Sequence, residues 1–137
     1  MFSSQEQAYL QIQMLARLAT VAPDGQPDAD VTGFEFDGAR FYIGGYDVEH
    51  TRKYKNIVAG NRKVSLVIDD LKTIDPWAPR GIKVHGTAEI IEREGRMGKG
   101  SYLAITPTVS WSWGIEPPQF RPGKSFPVPR KVAWTVG

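Results

Sequence analysis

The residues best suited to chemistry lie between positions 44 and 56. Gly44 and Gly45 end an alternating apolar segment, and a basic stretch follows at the start of a predicted helix. That stretch contains Thr51, Arg52, Lys53 and Lys55. Backbone N–H groups at a helix start attract anions, and Arg and Lys donate charge-assisted hydrogen bonds to phosphate. The pattern predicts a phosphate clamp, although an ordinary basic helix start on a protein surface has the same spacing.

Composition narrows the chemistry that is available. The chain has 137 residues, 41% hydrophobic and 23% charged, which is typical of one globular domain. It contains no cysteine and only two histidines, so thiolate catalysis and Cys- or His-rich metal sites are excluded. A net charge of +2 does not favour nucleic acid as a partner. We expect no membrane span and no signal peptide, and therefore a cytoplasmic protein.

Hydrophobic periodicity predicts a mainly β protein with a few helices. Ser3 and Glu6 have capping-box spacing at the start of a helix over residues 3–15. A second helix is expected over residues 49–59, ended by Gly60. Strands are predicted at 17–22, 27–36, 39–45, 62–70, 82–90 and 102–115. Short antiparallel strands with regular turn signals are typical of a sandwich or a barrel.

Three further segments complete the prediction. Residues 92–100 are polar and glycine-rich, and we expect a mobile loop there. Residues 117–130 contain five prolines and form a basic tail, expected to be extended and to be followed by a last strand at 131–136. No internal repeat or second domain is visible, so one domain spanning residues 1–137 is expected.

Two tryptophan-containing segments are candidates for packing or binding. Trp77 lies between Pro76 and Pro79 in a predicted irregular loop, where it either packs on a neighbour or stacks on a ring. In the last long strand, one face carries Val109, Trp111, Trp113 and Ile115, and the other carries Ser110, Ser112 and Gly114. The apolar face is too large for a small domain to expose, so it is core or subunit interface.

Taken in order, these segments resemble the pyridoxamine 5′-phosphate oxidase-like split-barrel family, and within it the branch that uses the deazaflavin F420. The similarity covers residues 10–116 and rests on an ordered set of short motifs. These are residues 15–27 (LARLATVAPDGQP), 43–45 (IGG) with 51–53 (TRK) and Asn56, 67–70 (VIDD), 76–82 (PWAPRGI) and 112–114 (SWG). The residues after Glu116 and the loop 92–100 match no family pattern.

The resemblance implies a six-stranded antiparallel Greek-key split barrel that forms a homodimer, with cofactor sites between the subunits. It implies that the cofactor phosphate is held by one subunit, and that a proline–tryptophan loop of the other packs near the cofactor. The first group comprises Gly44, Gly45, Thr51, Arg52, Lys53 and, less directly, Asn56. The second comprises Trp77, Pro79 and Arg80, with Ser112 and Trp113 also near the site.

The implied function is hydride transfer from F420 to an unsaturated small molecule. No obligatory catalytic side chain is predicted, because the cofactor ring carries the hydride; Tyr46 is a candidate proton donor. F420 continues beyond its phosphate into an anionic tail and needs a longer basic groove, which Arg52, Lys53, Lys55, Arg80 and Lys124 can supply. Two alternatives stay open: an FMN-dependent oxidoreductase, and a non-enzymatic flavin- or haem-binding storage protein on the same fold.

Overall fold

The structure is a computed structural model that describes residues 1–45 and 47–134. It opens with helix α1 (Ser4–Ile12), which is shorter than the predicted segment 3–15. The predicted capping box is present: Glu6 Oε1 accepts from the Ser3 backbone N–H at 2.8 Å, and Ser3 Oγ accepts from the Glu6 N–H at 3.2 Å. The helix ends early because the chain turns into the first strand, which leaves Ile12 and Met14 exposed.

Ten strands and two further helical segments follow within the described residues. The strands are β1 (Leu15–Val21), β2 (Pro27–Gly33), β3 (Glu35–Phe36), β4 (Phe41–Gly44), β5 (Lys63–Leu71), β6 (Pro79–Gly95), β7 (Gly98–Trp113), β8 (Gln119–Phe120), β9 (Pro127–Val128) and β10 (Arg130–Ala133). Between β4 and β5 lie a 3₁₀ turn (Val48–His50) and helix α2 (Arg52–Val58). The predicted helix over 49–59 is therefore two pieces, broken at Thr51.

One antiparallel sheet contains eight of the strands. Its order is β2-β1-β5-β6-β7-β4-β3, and β10 pairs with the C-terminal half of β7. The predicted antiparallel, mainly β architecture is confirmed, with two strands more than the predicted six in this sheet and a separate β8–β9 pair. Alternating residues of the central strands point to one core: Leu18, Leu66, Ile68, Ile82 and Val84 are at most 1% exposed.

Residues 92–100 do not form the predicted loop. Strands β6 and β7 continue through this segment and pair until Gly95 meets Gly98, so the connection is a tight hairpin. Arg93 stabilises it: its guanidinium lies 3.9 Å from the centre of the Tyr42 ring and donates to Glu35 at 3.3 Å. The segment is polar because this end of the hairpin projects beyond the core.

After residue 107 of β7, the serines face the core and Trp111 faces outward. This is the opposite of a strand that packs its apolar face into the core. Ser110 and Ser112 are buried at 2% exposure, whereas Trp111 is half-buried on the outer surface. Pairing explains this, because Ser110 lies opposite Val84 and Ser112 opposite Ile82, which face the core. The register shift at His85/Gly86 exchanges the inward and outward positions of β7. The core interpretation of Trp111 is wrong, and the interface interpretation stays a prediction.

The C-terminal segment returns to the sheet through β10. Strand β10 pairs with β7 from Arg130↔Ser112 to Ala133↔Val109, which matches the first part of the predicted strand 131–136; residues 135–137 lie outside the described residues. Trp134 Nε1 donates to Ser110 Oγ at 2.9 Å, and its ring packs edge-on against Phe2 at 4.8 Å between centroids. In the described part of the chain, no helix combines the length and apolarity that crossing a bilayer requires.

Candidate functional site

The two glycines after β4 are required by contacts within the chain. A Cβ at Gly44 would lie 2.6 Å from the Tyr102 ring and 2.7 Å from the Ser101 carbonyl oxygen. Gly45 has φ +117°, and a Cβ there would lie 2.5 Å from Met97 Cβ. Strand β4 therefore passes close against β7 and the hairpin tip, and this close approach explains both glycines without a ligand.

Thr51 is the N-cap of α2. Its Oγ1 accepts from the Tyr54 N–H at 3.4 Å and donates to the Val48 carbonyl at 2.6 Å. The hydroxyl is thus used in joining the 3₁₀ turn to the helix. Since α2 has only seven residues, its dipole is modest, and any attraction for an anion here depends on the cationic side chains.

The three cations of α2 have different environments. Arg52 and Lys55 are exposed and form no ion pair with any described residue. The Lys53 side chain is 10% exposed, and its Nζ lies 2.8 Å from Asp30 Oδ2 on β2. Two cations are therefore available to an external anion, whereas the third already has a carboxylate partner.

Asn56 is completely buried beneath the same helix. Its Nδ2 donates to Thr20 Oγ1 at 2.9 Å, and its Oδ1 has no partner among the described residues. The unpaired atom is a buried acceptor, which does not suit contact with a phosphate oxygen. Its main visible role is to tie α2 to β1.

Arg80 is held in a network with Asp70 and Tyr9. Its Nε and Nη2 donate to the two Asp70 oxygens at 2.8 and 3.0 Å, and Tyr9 donates to Asp70 Oδ1 at 2.7 Å. These hydrogen bonds, the one from Arg80 above all, lower the pKa of Asp70 to about 2. Burial and the bond to Asp70 raise the pKa of Tyr9. The guanidinium is thus engaged at the end of β5 and the start of β6.

Trp77 and Pro79 line a cavity of about 850 Å³. Ser112 and Trp113 at the end of β7 form another part of its wall, and the C-terminal segment closes it with residues that include Pro117, Phe126 and Arg130. The predicted proximity of the proline–tryptophan loop to Ser112 and Trp113 is therefore present. The contribution of the C-terminal segment was not predicted, since its sequence matches no pattern.

Gly44 lines a different cavity, of about 330 Å³, with Met97, Tyr42 and Tyr102 among its walls. Within one chain, Gly44 and the Trp77 loop thus line separate cavities. Sequence reasoning missed Asp30 on β2 and Met97 in the β6–β7 turn, because both are distant in sequence from the predicted site and neither belongs to a motif. Tyr46, the predicted proton donor, lies outside the described residues.

The residues at α2 fit a phosphate-bearing cofactor in kind. Arg52 and Lys55 supply exposed positive charge, and Lys53 can add its own when Asp30 is displaced. These cations suit the anionic part of a ligand at the protein surface.

Comparison with known proteins identifies the family. The model of the pyridoxamine 5′-phosphate oxidase family matches residues 2–114, and the chain belongs to this family. A curated relative, the 5a,11a-dehydrotetracycline/5a,11a-dehydrooxytetracycline reductase of Streptomyces rimosus subsp. rimosus, is 36% identical over 121 residues, which cover 84% of each chain. This similarity places the protein among the oxidoreductases of the family.

Solved structures show the same flavin-type split barrel. An F420 reductase superposes with a TM-score of 0.61 at 20% identity, over 80% of this chain and 98% of that one. HutZ, the heme storage protein of Vibrio cholerae, superposes with a TM-score of 0.56 at 15% identity, over 74% and 86% of the two chains. At these identities the similarity concerns the fold alone.

Proposed function

We propose that this protein is an F420-dependent reductase that delivers a hydride to a carbon–carbon double bond of an unsaturated small molecule. The observation that carries the proposal is the 36% identity to a dehydrotetracycline reductase over 84% of both chains. The F420 reductase of the same fold supports the choice of cofactor. When bound, the deazaflavin supplies the hydride, and the protein supplies binding and orientation.

Arg52 and Lys55 are proposed to bind the phosphate and the anionic tail of the cofactor. Both are exposed and lack an ion-pair partner among the described residues, so little competes with an incoming phosphate. Lys53 joins them by exchanging Asp30 for a phosphate oxygen. Thr51 holds the helix start in place, and Gly44 and Gly45 are proposed to let the backbone before the helix approach the cofactor.

A homodimer is proposed to complete the site. In one chain, the described wall of the cavity beside Trp77 includes none of the α2 cations, so a second copy is proposed to bring Trp77, Pro79 and Arg80 to the cofactor. The outer sheet face around Trp111 and Val109 is the proposed contact surface, because both side chains are half-buried in the monomer and neither joins the core.

Titration of the purified protein with F420 and FMN separately tests the cofactor. We expect saturable F420 binding, weaker FMN binding, and oxidation of reduced F420 when a dehydrotetracycline-type enone is added, followed by the change in deazaflavin absorbance. An FMN-loaded protein that ignores F420 would instead support the FMN-dependent alternative. Tight binding of flavin or haem without hydride transfer would support a storage role, which the fold of HutZ also permits.

A further inference from the structure

The cavity beside Trp77 lies between the end of β7 and the C-terminal segment, and the family model does not extend over that segment. The model ends at residue 114, whereas Pro117, Phe126 and Arg130 all help to form the cavity. Its volume of about 850 Å³ is in the range of sites for drug-sized ligands. The cavity is thus a property of this chain's own C-terminal segment.

The walls of the cavity suit a flat, conjugated ligand. Trp77 is 69% exposed and Phe126 is 80% exposed, although each lines the cavity, so their rings are open to a stacking partner. Trp113 and several prolines supply further apolar surface: Pro79, Pro117, Pro118 and Pro127. Aromatic faces and proline rings bind planar ring systems by stacking, with little loss of side-chain entropy.

Polar groups at fixed points suit oxygen substituents on such a ligand. Ser112 lies in the wall, and its buried Oγ has no hydrogen-bond partner among the described residues. Arg130 forms an ion pair with the buried Glu6, and its other guanidinium N–H groups, which have no partner among the described residues, can donate to a ligand. Gln119 adds an amide to the wall.

We infer that this cavity is the binding site for a flat, oxygen-substituted polycyclic substrate, with Trp77 and Phe126 stacking on its rings. That the ligand is a substrate rests on the proposed function. It adds the place where the substrate is held and the segment that holds it. The C-terminal segment is anchored at both ends, by β7 before it and by β10 after it, and therefore forms a fixed wall.

Calorimetric titration of the full-length protein with anhydrotetracycline, a planar and oxygen-rich polycycle, tests this inference. Trp77→Ala and Phe126→Ala are each expected to weaken binding about tenfold, because each removes a stacking surface. Phe120→Ala is the matched control for Phe126, since Phe120 is an exposed phenylalanine of the same β8–β9 hairpin region that does not line the cavity. Ile74→Ala is the control for Trp77, since Ile74 is an exposed residue of the same loop that does not line the cavity.

Both controls are expected to keep the dissociation constant within about twofold, as substitutions outside a binding site do. Absence of anhydrotetracycline binding, or equal losses in Phe126→Ala and Phe120→Ala, would overturn the inference. F420 titration of the same variants separates the two proposals. If F420 binds and turns over normally but Phe126→Ala leaves the affinity for anhydrotetracycline unchanged, the proposed function is retained and the proposed substrate site is wrong. A loss of F420 affinity in Phe126→Ala would assign the cavity to the cofactor instead.

Discussion

Lys53 Nζ lies 2.8 Å from Asp30 Oδ2, and this ion pair joins α2 to β2. The Asp30 side chain is 49% exposed, whereas that of Lys53 is 10% exposed, so the carboxylate is the partner that solvent or a ligand can displace. Lys53 therefore has two possible roles, as an anchor of the helix and as a ligand of the cofactor phosphate, and two substitutions separate them.

Lys53→Ala is expected to weaken F420 binding by tenfold or more, since a charge-assisted hydrogen bond contributes roughly 1.5–3 kcal/mol. Asp30→Asn is expected to strengthen F420 binding, because the Lys53 ammonium no longer has to give up an ion pair with a carboxylate. Binding is measured by fluorescence titration with F420 and with its phosphate-free fragment, which controls for changes in folding. If Asp30→Asn leaves both affinities unchanged while Lys53→Ala only lowers the melting temperature, Lys53 is an anchor and does not bind the phosphate.

Gly45→Ala is expected to destabilise the protein more than Gly60→Ala. The two glycines have similar backbone angles, φ +117° and +108°, but only Gly45 has a neighbour, Met97 Cβ, within reach of an added methyl group. Gly60→Ala should cost about 1 kcal/mol for the backbone alone, and Gly45→Ala roughly 1–3 kcal/mol more for the clash. Urea denaturation gives both values. Equal values would mean that the hairpin tip moves away freely.

The Asp70 carboxylate should make stability depend on pH at the acidic end. Its pKa is lowered from 3.8 to about 2 in the folded protein, so it contributes stability above its unfolded pKa, and this contribution is lost as pH falls towards 2. We expect Asp70→Asn to cost roughly 1–2 kcal/mol near pH 6, after allowance for the side chain's partial exposure. Denaturation at several pH values should show this difference shrinking below pH 4, and a constant difference would contradict the assignment.

Residue spacing within a single segment predicted those helices and strands whose burial depends on that segment alone. The capping box of Ser3 and Glu6 gave the start of α1, though not its end, and the alternation of Val64, Leu66 and Ile68 gave β5, because burial on one face imposes a period on the sequence. The faces of β7 were not predictable in this way. The position of Trp111 depends on the register shift at His85/Gly86, which a pairing partner imposes from the neighbouring strand.

In the candidate site, too, one part is predicted by residue spacing and another part depends on contacts between distant segments. The basic residues of α2 are visible in the sequence, but the pairing of Lys53 with Asp30 spans 23 residues and has no local signal. The cavity beside Trp77 likewise combines a loop before β6 with Phe126, about fifty residues later in the chain. Long-range placement of this kind is decided by the sheet order, which residue spacing does not specify.

Val109→Arg is expected to convert the proposed dimer into a monomer. Val109 is half-buried on the outer sheet face beside His85, and an added guanidinium at the centre of an interface would be desolvated without a partner. Light scattering should give the mass of one 15.3 kDa chain, and F420 affinity should fall as well. Val31→Arg, at an exposed valine of β2, is the control. If Val31→Arg alone separates the subunits, the interface is on β2.

The ion pair between Arg130 and Glu6 is expected to fix the C-terminal segment to the body of the protein. Glu6 is 1% exposed and also accepts the Ser3 N–H, so removing its cation leaves a buried carboxylate with less compensation. Arg130→Ala should lower the free energy of unfolding by roughly 1–3 kcal/mol, and the neutral pair Glu6→Gln with Arg130→Met should restore much of it. A double-mutant cycle measured by urea denaturation gives the coupling between the two residues. Additive effects would show that β10 and Trp134 hold the segment without this pair.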